Sequence, residues 1–223
     1  MDPSKSSNMQ AAPHIILVHG LGRTAFDMAL MARRLQARFP DSAVHRFGYS
    51  TRSLDLAQAT DQLAKFVNKI SQNEPVSFVG HSLGGIVVRS LDLAANTHAP
   101  LHRLVTLGSP HNGATIARVL SRHSIPRSIF GPILTELGSL ALAETPRQLE
   151  IGCLIGATGT RLGFLPIFGA DNDGLVLARE ASFSGCRDKV SILSFHATMP
   201  FSRRLAELAG NFIERGSFEH VKK

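Results

Sequence analysis

The sequence has no tryptophan, one tyrosine and two cysteines, and each scarcity removes a class of protein. Aromatic residues make up only 6%, which leaves few platforms for stacking bases. The basic balance is Lys+Arg 24 against Asp+Glu 17, a net charge of +7, yet no basic run exists. The cations stand singly or in pairs such as Arg33-Arg34, Arg203-Arg204 and Lys222-Lys223, so nucleic acid is not an expected partner. Cys153 and Cys186 cannot build a disulfide framework. They could form one bridge or remain two thiols, and the redox compartment stays open. No apolar run approaches the ~18 residues of a membrane-crossing helix. Residues 1–12 are small and polar, and Ile15 to Val18 is too short for the ~7–15-residue core of a secretory leader, so the chain as given reads as cytoplasmic.

What the sequence does have is an apolar content of 43% over 223 residues, enough to bury a core. Short apolar runs alternate with helical patterns, the signature of a parallel sheet wrapped by helices. Strands are expected at Ile15–Val18, Ala43–Phe47, Val76–Val79, Leu101–Leu107, Glu150–Ala157 and Lys189–Ser194. Thr24 and Asp27 make a capping box for a helix to about Arg38. Ser53 is the expected cap of the next helix, whose Leu63, Phe66, Val67 and Ile70 share one face. A helix over about Leu83–Ala95 and a closing helix with Leu205, Leu208, Ala209 and Phe212 complete the alternation. Between Asn112 and Gln148 it is interrupted by Pro126, Gly131, Pro132, Gly138 and Pro146, which predicts broken short helices. The expected organisation is a tail over 1–12, a single domain over 13–218 with a lid-like segment at about 112–148, and a tail over 219–223.

Gly80-His81-Ser82-Leu83-Gly84 places a serine between a predicted strand and a predicted helix, the pattern of a nucleophile elbow. A sharp strand-to-helix turn strains the serine backbone, and glycines two residues to either side let the neighbouring chain come close. The hydroxyl then stands at the carboxyl edge of the sheet, where such sheets bind ligands. A serine needs a base and the base an orienting acid. Among His98, His102, His111, His123, His196 and His220, the preferred base is His196, directly after the last strand, with His111 as rival. Asp173 is the preferred acid over Asp171 and Asp188, because Gly174 permits a turn and Leu175-Val176 can anchor it. A calcium loop with Gly174 in sixth position would also use Asp171, Asp173 and Glu180, but Gly169 stands where its first carboxylate should be. Two backbone N–H groups should face a developing oxyanion. Leu83 follows the nucleophile, and Leu21 lies in the glycine-flanked loop His19-Gly20-Leu21-Gly22.

These segments, with Gly108-Ser109-Pro110-His111-Asn112-Gly113 and Asn172-Asp173-Gly174-Leu175-Val176, resemble the bacterial lipase and esterase family of α/β-hydrolases. Its triacylglycerol-lipase-like and GPI-inositol-deacylase-like relatives are included. The resemblance runs from about His14 to Phe218. It implies an α/β-hydrolase fold, mostly parallel sheet with helices on both faces and a small helical lid-like insertion. It further implies a Ser82-His196-Asp173 triad, oxyanion donors at Leu21 and Leu83, and ester hydrolysis; no cofactor or metal is expected. Secreted lipases of this group carry an aspartate two residues after the histidine that helps bind calcium; here Thr198 stands there, so no calcium is expected. Nor does the cysteine pair match their bridge pattern, and no disulfide is inferred.

The expected activity is thus a serine carboxylic-ester hydrolase, an esterase or lipase of lipid metabolism working through an acyl-enzyme. The alternatives are acyl transfer on the same triad and a binding module of the same fold without catalysis. Its expected partners are a small-molecule or lipid ester and, transiently, a membrane surface; the oligomeric state is open. Two apolar segments, Ile125 to Leu142 and Phe164 to Phe168 just before the acid, are expected to form a partial lid and an acyl pocket, with Phe164, Leu165, Ile167 and Phe168 as substrate-binding residues; the alternative is that both simply pack onto the core.

Overall fold

In a computed structural model of the protein, which describes residues 12–140, 142 and 145–218, six strands form one sheet. They are β1 (His14–Val18), β2 (Ala43–Phe47), β3 (Val76–His81), β4 (Leu101–Leu107), β5 (Glu150–Gly156) and β6 (Asp188–Ile192). Their order is β2-β1-β3-β4-β5-β6, and every pairing is parallel. Apolar side chains on both faces of β1 explain why both faces are covered. Ile15 and Leu17 join the core under α1 (Ala29–Arg38) and α7 (Arg203–Arg215). Ile16 and Val18, pointing the other way as alternation requires, join the core under α2 (Leu56–Ser71) and α3 (Leu83–Ala94).

The helix starts follow from local polar chemistry. Thr24 N–H donates to the Asp27 carboxylate at 2.9 Å, and a 3-10 turn over Ala25–Met28 leads into α1. At α2 the cap is Asp55 instead of Ser53. Asp55 Oδ1 accepts from Gln58 N–H at 2.7 Å, and Gln58 Oε1 accepts from Asp55 N–H at 3.1 Å. This reciprocal pair outcompetes a lone hydroxyl, and Ser53 Oγ bonds Ser50 Oγ instead.

The interrupted region folds as three short helices, α4 (Thr115–Leu120), α5 (Ser124–Phe130) and α6 (Ile133–Gly138). The α4 and α6 backbones touch: a Cβ on Gly138 would lie 2.8 Å from Arg118 Cα. Ala114 N–H also donates to Leu137 O at 3.0 Å. Glu136 reaches back to accept from Leu56 N–H at 2.7 Å. By contrast α5 has no buried residue.

Cys153 in β5 is disulfide-bonded to Cys186, with Cα atoms 6.5 Å apart. The bridge encloses the β5–β6 connection. Of the expected N-terminal tail, Ala12 is buried and its carbonyl accepts from Ser42 Oγ at 3.0 Å; residues 1–11 and the expected tail over 219–223 lie outside the described residues. Among the described residues no helix is long and apolar enough to cross a membrane.

Candidate active site

After β1 the chain goes outward to β2 and returns to β3 on the other side, so the β1/β3 border is where the strand order reverses and a crevice opens at the carboxyl edge. The register Val18↔Gly80 carries the loop after β1 alongside the turn after β3. Ser82 occupies that turn at φ 54, ψ −123, a left-handed backbone that a non-glycine residue holds only under constraint. The constraint is visible. A Cβ on Gly80 would lie 2.5 Å from the Gly85 backbone, one on Gly84 would run into Val18 O, and one on Gly20 would lie 2.9 Å from Ser82 Cβ. Ser82 N–H donates to Leu107 O at 2.9 Å, and α3 starts at the next residue.

His196 opens a 3-10 turn over His196–Phe201, just beyond β6. Its Nδ1 lies 2.6 Å from Asp173 Oδ2, with both side chains almost wholly buried. Its backbone N–H also donates to Asp173 O at 2.8 Å. The other carboxylate oxygen, Oδ1, accepts from Leu175 N–H at 3.0 Å and Val176 N–H at 2.7 Å. Asp173 is thus aimed by its own loop at one ring nitrogen. Glycines end the neighbouring strands for the same purpose: a Cβ on Gly108 would lie 2.8 Å from Asp173 Oδ2, and one on Gly156 2.6 Å from Asp173 Cβ.

His81 links the two halves. Its ring packs against the His196 ring at 4.8 Å, and its Nε2–H donates to His196 O at 3.1 Å. Burial first, then the charge His196 can carry, pushes its pKa well below the ordinary value. His19 holds the loop after β1. Its ring stacks on Tyr49 at 4.5 Å, its Nε2 accepts from Tyr49 N–H at 3.3 Å, and burial lowers its pKa. Gly22 N–H donates to Thr51 Oγ1 at 3.0 Å and Arg23 N–H to Gly20 O at 3.2 Å. Those bonds use the N–H groups on the far side of Leu21.

Ser82 and His196 line one cavity of about 170 Å³ together with Leu21. Arg23 and His81 also border it, and the rest of its wall is apolar, with Ala114, Ala117 and Leu120 from the α4 region and Leu134 and Leu137 from α6. The structure therefore brings Ser82, His196, Asp173, Leu21 and Leu83 to one place. It does not bring Phe164, Leu165, Ile167 and Phe168 there. Asn172 pulls that segment outward, bonding Leu165 N–H and the Leu162, Leu165 and Ala170 carbonyls. Ile167 is 83% exposed as a result. The cavity beside Ser82 is lined instead from the α4 region and α6.

The rival His111 points elsewhere. Its Nδ1 lies 3.1 Å from Arg89 Nη1 on α3, its Nε2 lies 3.2 Å from Thr106 Oγ1, and its ring packs on Phe183. Burial and Arg89 hold its pKa well down. The acids of the alternative calcium loop have separate duties: Asp171 accepts from Thr158 and Gly159 N–H, and Glu180 from Leu177 and Thr115 N–H. Sequence reasoning gave Gly108 no role beyond the family resemblance and passed over Gly156 and the aromatic and hydroxyl supports Tyr49 and Thr51. A glycine at each of two adjacent strand ends was the available signal.

A parallel sheet covered on both faces, with a serine in a strained turn after β3 and a histidine–aspartate pair after β6, is an α/β-hydrolase. The model of the palmitoyl protein thioesterase family matches residues 14–138, more than half of the chain, and the chain belongs to that family, a hydrolase of the esterase and thioesterase type. No curated protein sequence matches it. Among solved structures it is similar to the mature Bacillus licheniformis lipase BlEst2, at 21% identity and TM-score 0.67 over 88% of this chain and 92% of that one. It is also similar to the metagenomic carboxyl esterase MGS0156, at 19% identity and TM-score 0.58 over 87% and 66%. The Vlm2 thioesterase domain matches at 16% identity and TM-score 0.59 over 93% and 94%.

Proposed function

We propose that the chain hydrolyses acyl oxygen esters and thioesters through a Ser82-His196-Asp173 triad and an acyl-enzyme. The observation that carries this reading is the buried 2.6 Å Asp173–His196 pair on the rim of a cavity that also contains Ser82. With Asp173 holding Nδ1–H, Nε2 is left with its lone pair and acts as base towards Ser82. Ser82 Oγ attacks the acyl carbon, its proton passing to Nε2. The oxyanion is received by Leu21 and Leu83 N–H at the start of α3, where the helix also presents positive potential. Collapse expels the alcohol or thiol, which takes the proton from His196. Water then repeats the sequence on the acyl-enzyme.

In this reading α4–α6 form a lid-like cover, and a membrane surface is a transient partner that presents lipid esters. The disulfide favours an oxidising compartment over the cytoplasm. No metal enters the steps, so turnover should survive a chelator; loss restored by calcium alone would revive the role of Asp171 and Glu180.

Labelling with a fluorophosphonate and mapping the adduct tests the mechanism. Ser82 should carry the adduct, and Ser82→Ala should lose it together with hydrolysis by roughly 10⁴-fold or more. Near wild-type turnover in Ser82→Ala would overturn the triad. An unreactive Ser82 in folded protein would favour the binding module, and acyl products on added alcohol or thiol would favour transfer.

A further inference from the structure

We infer that α4 and α5 form a docking face for an anionic lipid surface, which Ile125 and Ile129 enter and Arg122 and Arg127 hold. The inference rests on the ester-hydrolase reading for its purpose, the presentation of lipid esters, but the binding itself needs no catalysis.

Ten large apolar side chains stand exposed among the described residues, and all ten follow the carboxyl end of a strand. Phe26 comes after β1, Ile125 after β4, Ile167 after β5 and Leu193 after β6, with exposures of 81%, 72%, 83% and 74%. None lies on the outer sides of α1, α2, α3 or α7, or in the segments that lead into the strands. Such a one-sided distribution marks a contact surface. Three of the ten fall between Val119 and Ile129. Ile125 and Ile129, four residues apart, share one side of α5, and neither lines the cavity, whereas Leu120 and Phe130 do. The cavity and the exposed face are therefore different sides of one segment.

The charge of this segment has one sign. Residues 112–135 contain no aspartate or glutamate but hold Arg118, Arg122 and Arg127. Arg118 is in use, its Nε donating to Gly138 O at 3.1 Å. Arg122 and Arg127 are exposed and meet no carboxylate among the described residues. On the same edge Asp27 is engaged by Arg23, Glu136 by Leu56 N–H and Glu180 by Thr115 N–H. Exposed isoleucine beside unpaired arginine matches acyl chains lying under anionic headgroups. The apolar groups come from several separate connections, and a protein partner would need a shaped counterpart to all of them. A fluid bilayer adapts to them.

The test is flotation of the full chain with vesicles of phosphatidylcholine alone and of phosphatidylcholine with about 30% phosphatidylserine. Wild type should partition at least about tenfold better onto the anionic vesicles, at about fivefold for each arginine near the surface. Arg122→Gln with Arg127→Gln should abolish that preference, and Arg122→Lys with Arg127→Lys should keep it. Lys65→Gln with Lys69→Gln, which takes the same charge from α2, should leave it within about twofold, because charges beyond a screening length of the surface count little. Ile125→Ser with Ile129→Ser should weaken binding to both vesicles by about tenfold or more. Equal binding of wild type to the two vesicles, or equal loss in the arginine and α2 lysine pairs, would overturn the inference. A wild type that stays off both vesicles would also overturn it and leave the face to an acidic protein. Turnover of a water-soluble acetyl ester, measured on the same samples, separates the two readings: its absence with binding intact would overturn ester hydrolysis alone, and its presence without binding would overturn docking alone.

Discussion

The elbow and helix α5 border the same cavity but are held in opposite ways. Around Ser82 three glycines let backbone meet backbone, and a methyl group on Gly84 would collide with Val18 O and lie 2.7 Å from His19 O. Along α5 nothing is buried, and Ile125 and Ile129 are 72% and 53% exposed. The difference teaches where precision is needed. In the proposed mechanism a nucleophile must sit within a fraction of an ångström of its partners, whereas a cover has only to exclude water and let a substrate pass.

The sharpest way to break the contrast is Gly84→Ala. It should cost about 3 kcal/mol or more, since the clash is with backbone on a buried strand. Thermal unfolding should show a large fall in Tm, and an unchanged Tm would mean that the elbow is looser than its contacts imply. Next comes the connection that carries the acid. Cys153→Ser with Cys186→Ser removes a bridge spanning 33 residues and should lower stability by about 2–4 kcal/mol. Urea denaturation of oxidised and doubly substituted protein measures it; equal midpoints would make the bridge dispensable.

A smaller effect is set by acid. His81 and His111 have pKa values pushed well down by burial. Well above pH ~6.5 both are neutral folded and unfolded. Below it the unfolded chain takes up protons that the folded one refuses, so stability falls as pH falls, by at most about 1.4 kcal/mol per pH unit for each. Unfolding free energies at pH 7 and pH 5 test the sign, which a rise towards pH 5 would reverse. The smallest change is expected on α5. Ile125→Ser with Ile129→Ser should alter stability by no more than about 0.5 kcal/mol. A large loss would show that α5 is anchored more firmly than its exposure implies.

The sheet was legible because short apolar runs such as Ile15–Val18 mark its central strands, and β2 and β4 also fall where Ala43–Phe47 and Leu101–Leu107 place them. The serine turn was legible too, since its glycines are fixed offsets from Ser82 and the strain that requires them is local. Three features were not. The cap of α2 turns on Gln58 answering Asp55, a pair that a search for lone hydroxyls overlooks. The Cys153–Cys186 bridge requires β5 and β6 to be neighbours with Cys153 opposite Lys189, and spacing alone does not state that alignment. A partial lid and pocket were expected from two apolar segments, 125–142 and 164–168; Phe130, Leu134 and Leu137 of the first line the cavity beside Ser82, whereas Asn172 gathers the backbone of the second on the outside. Which side of a sheet edge a loop takes is decided by such long-range bonds, which hydrophobicity does not record.

The covering of the α1 face has a consequence in time. Ile15, Leu17, Val79 and Val105 lie on it, and Leu205, Ala209 and Phe212 of α7 close it. Arg38 at the end of α1 meets Asn211 and Glu214 only through that late helix. At ~5–20 residues per second, roughly ten to forty seconds separate synthesis of β1 from synthesis of its cover. Throughout that interval α1 covers only part of this face, and the part that α7 closes has no permanent partner. Translation arrested before Leu205 should therefore yield a chaperone-bound, protease-sensitive species instead of a slightly shortened enzyme.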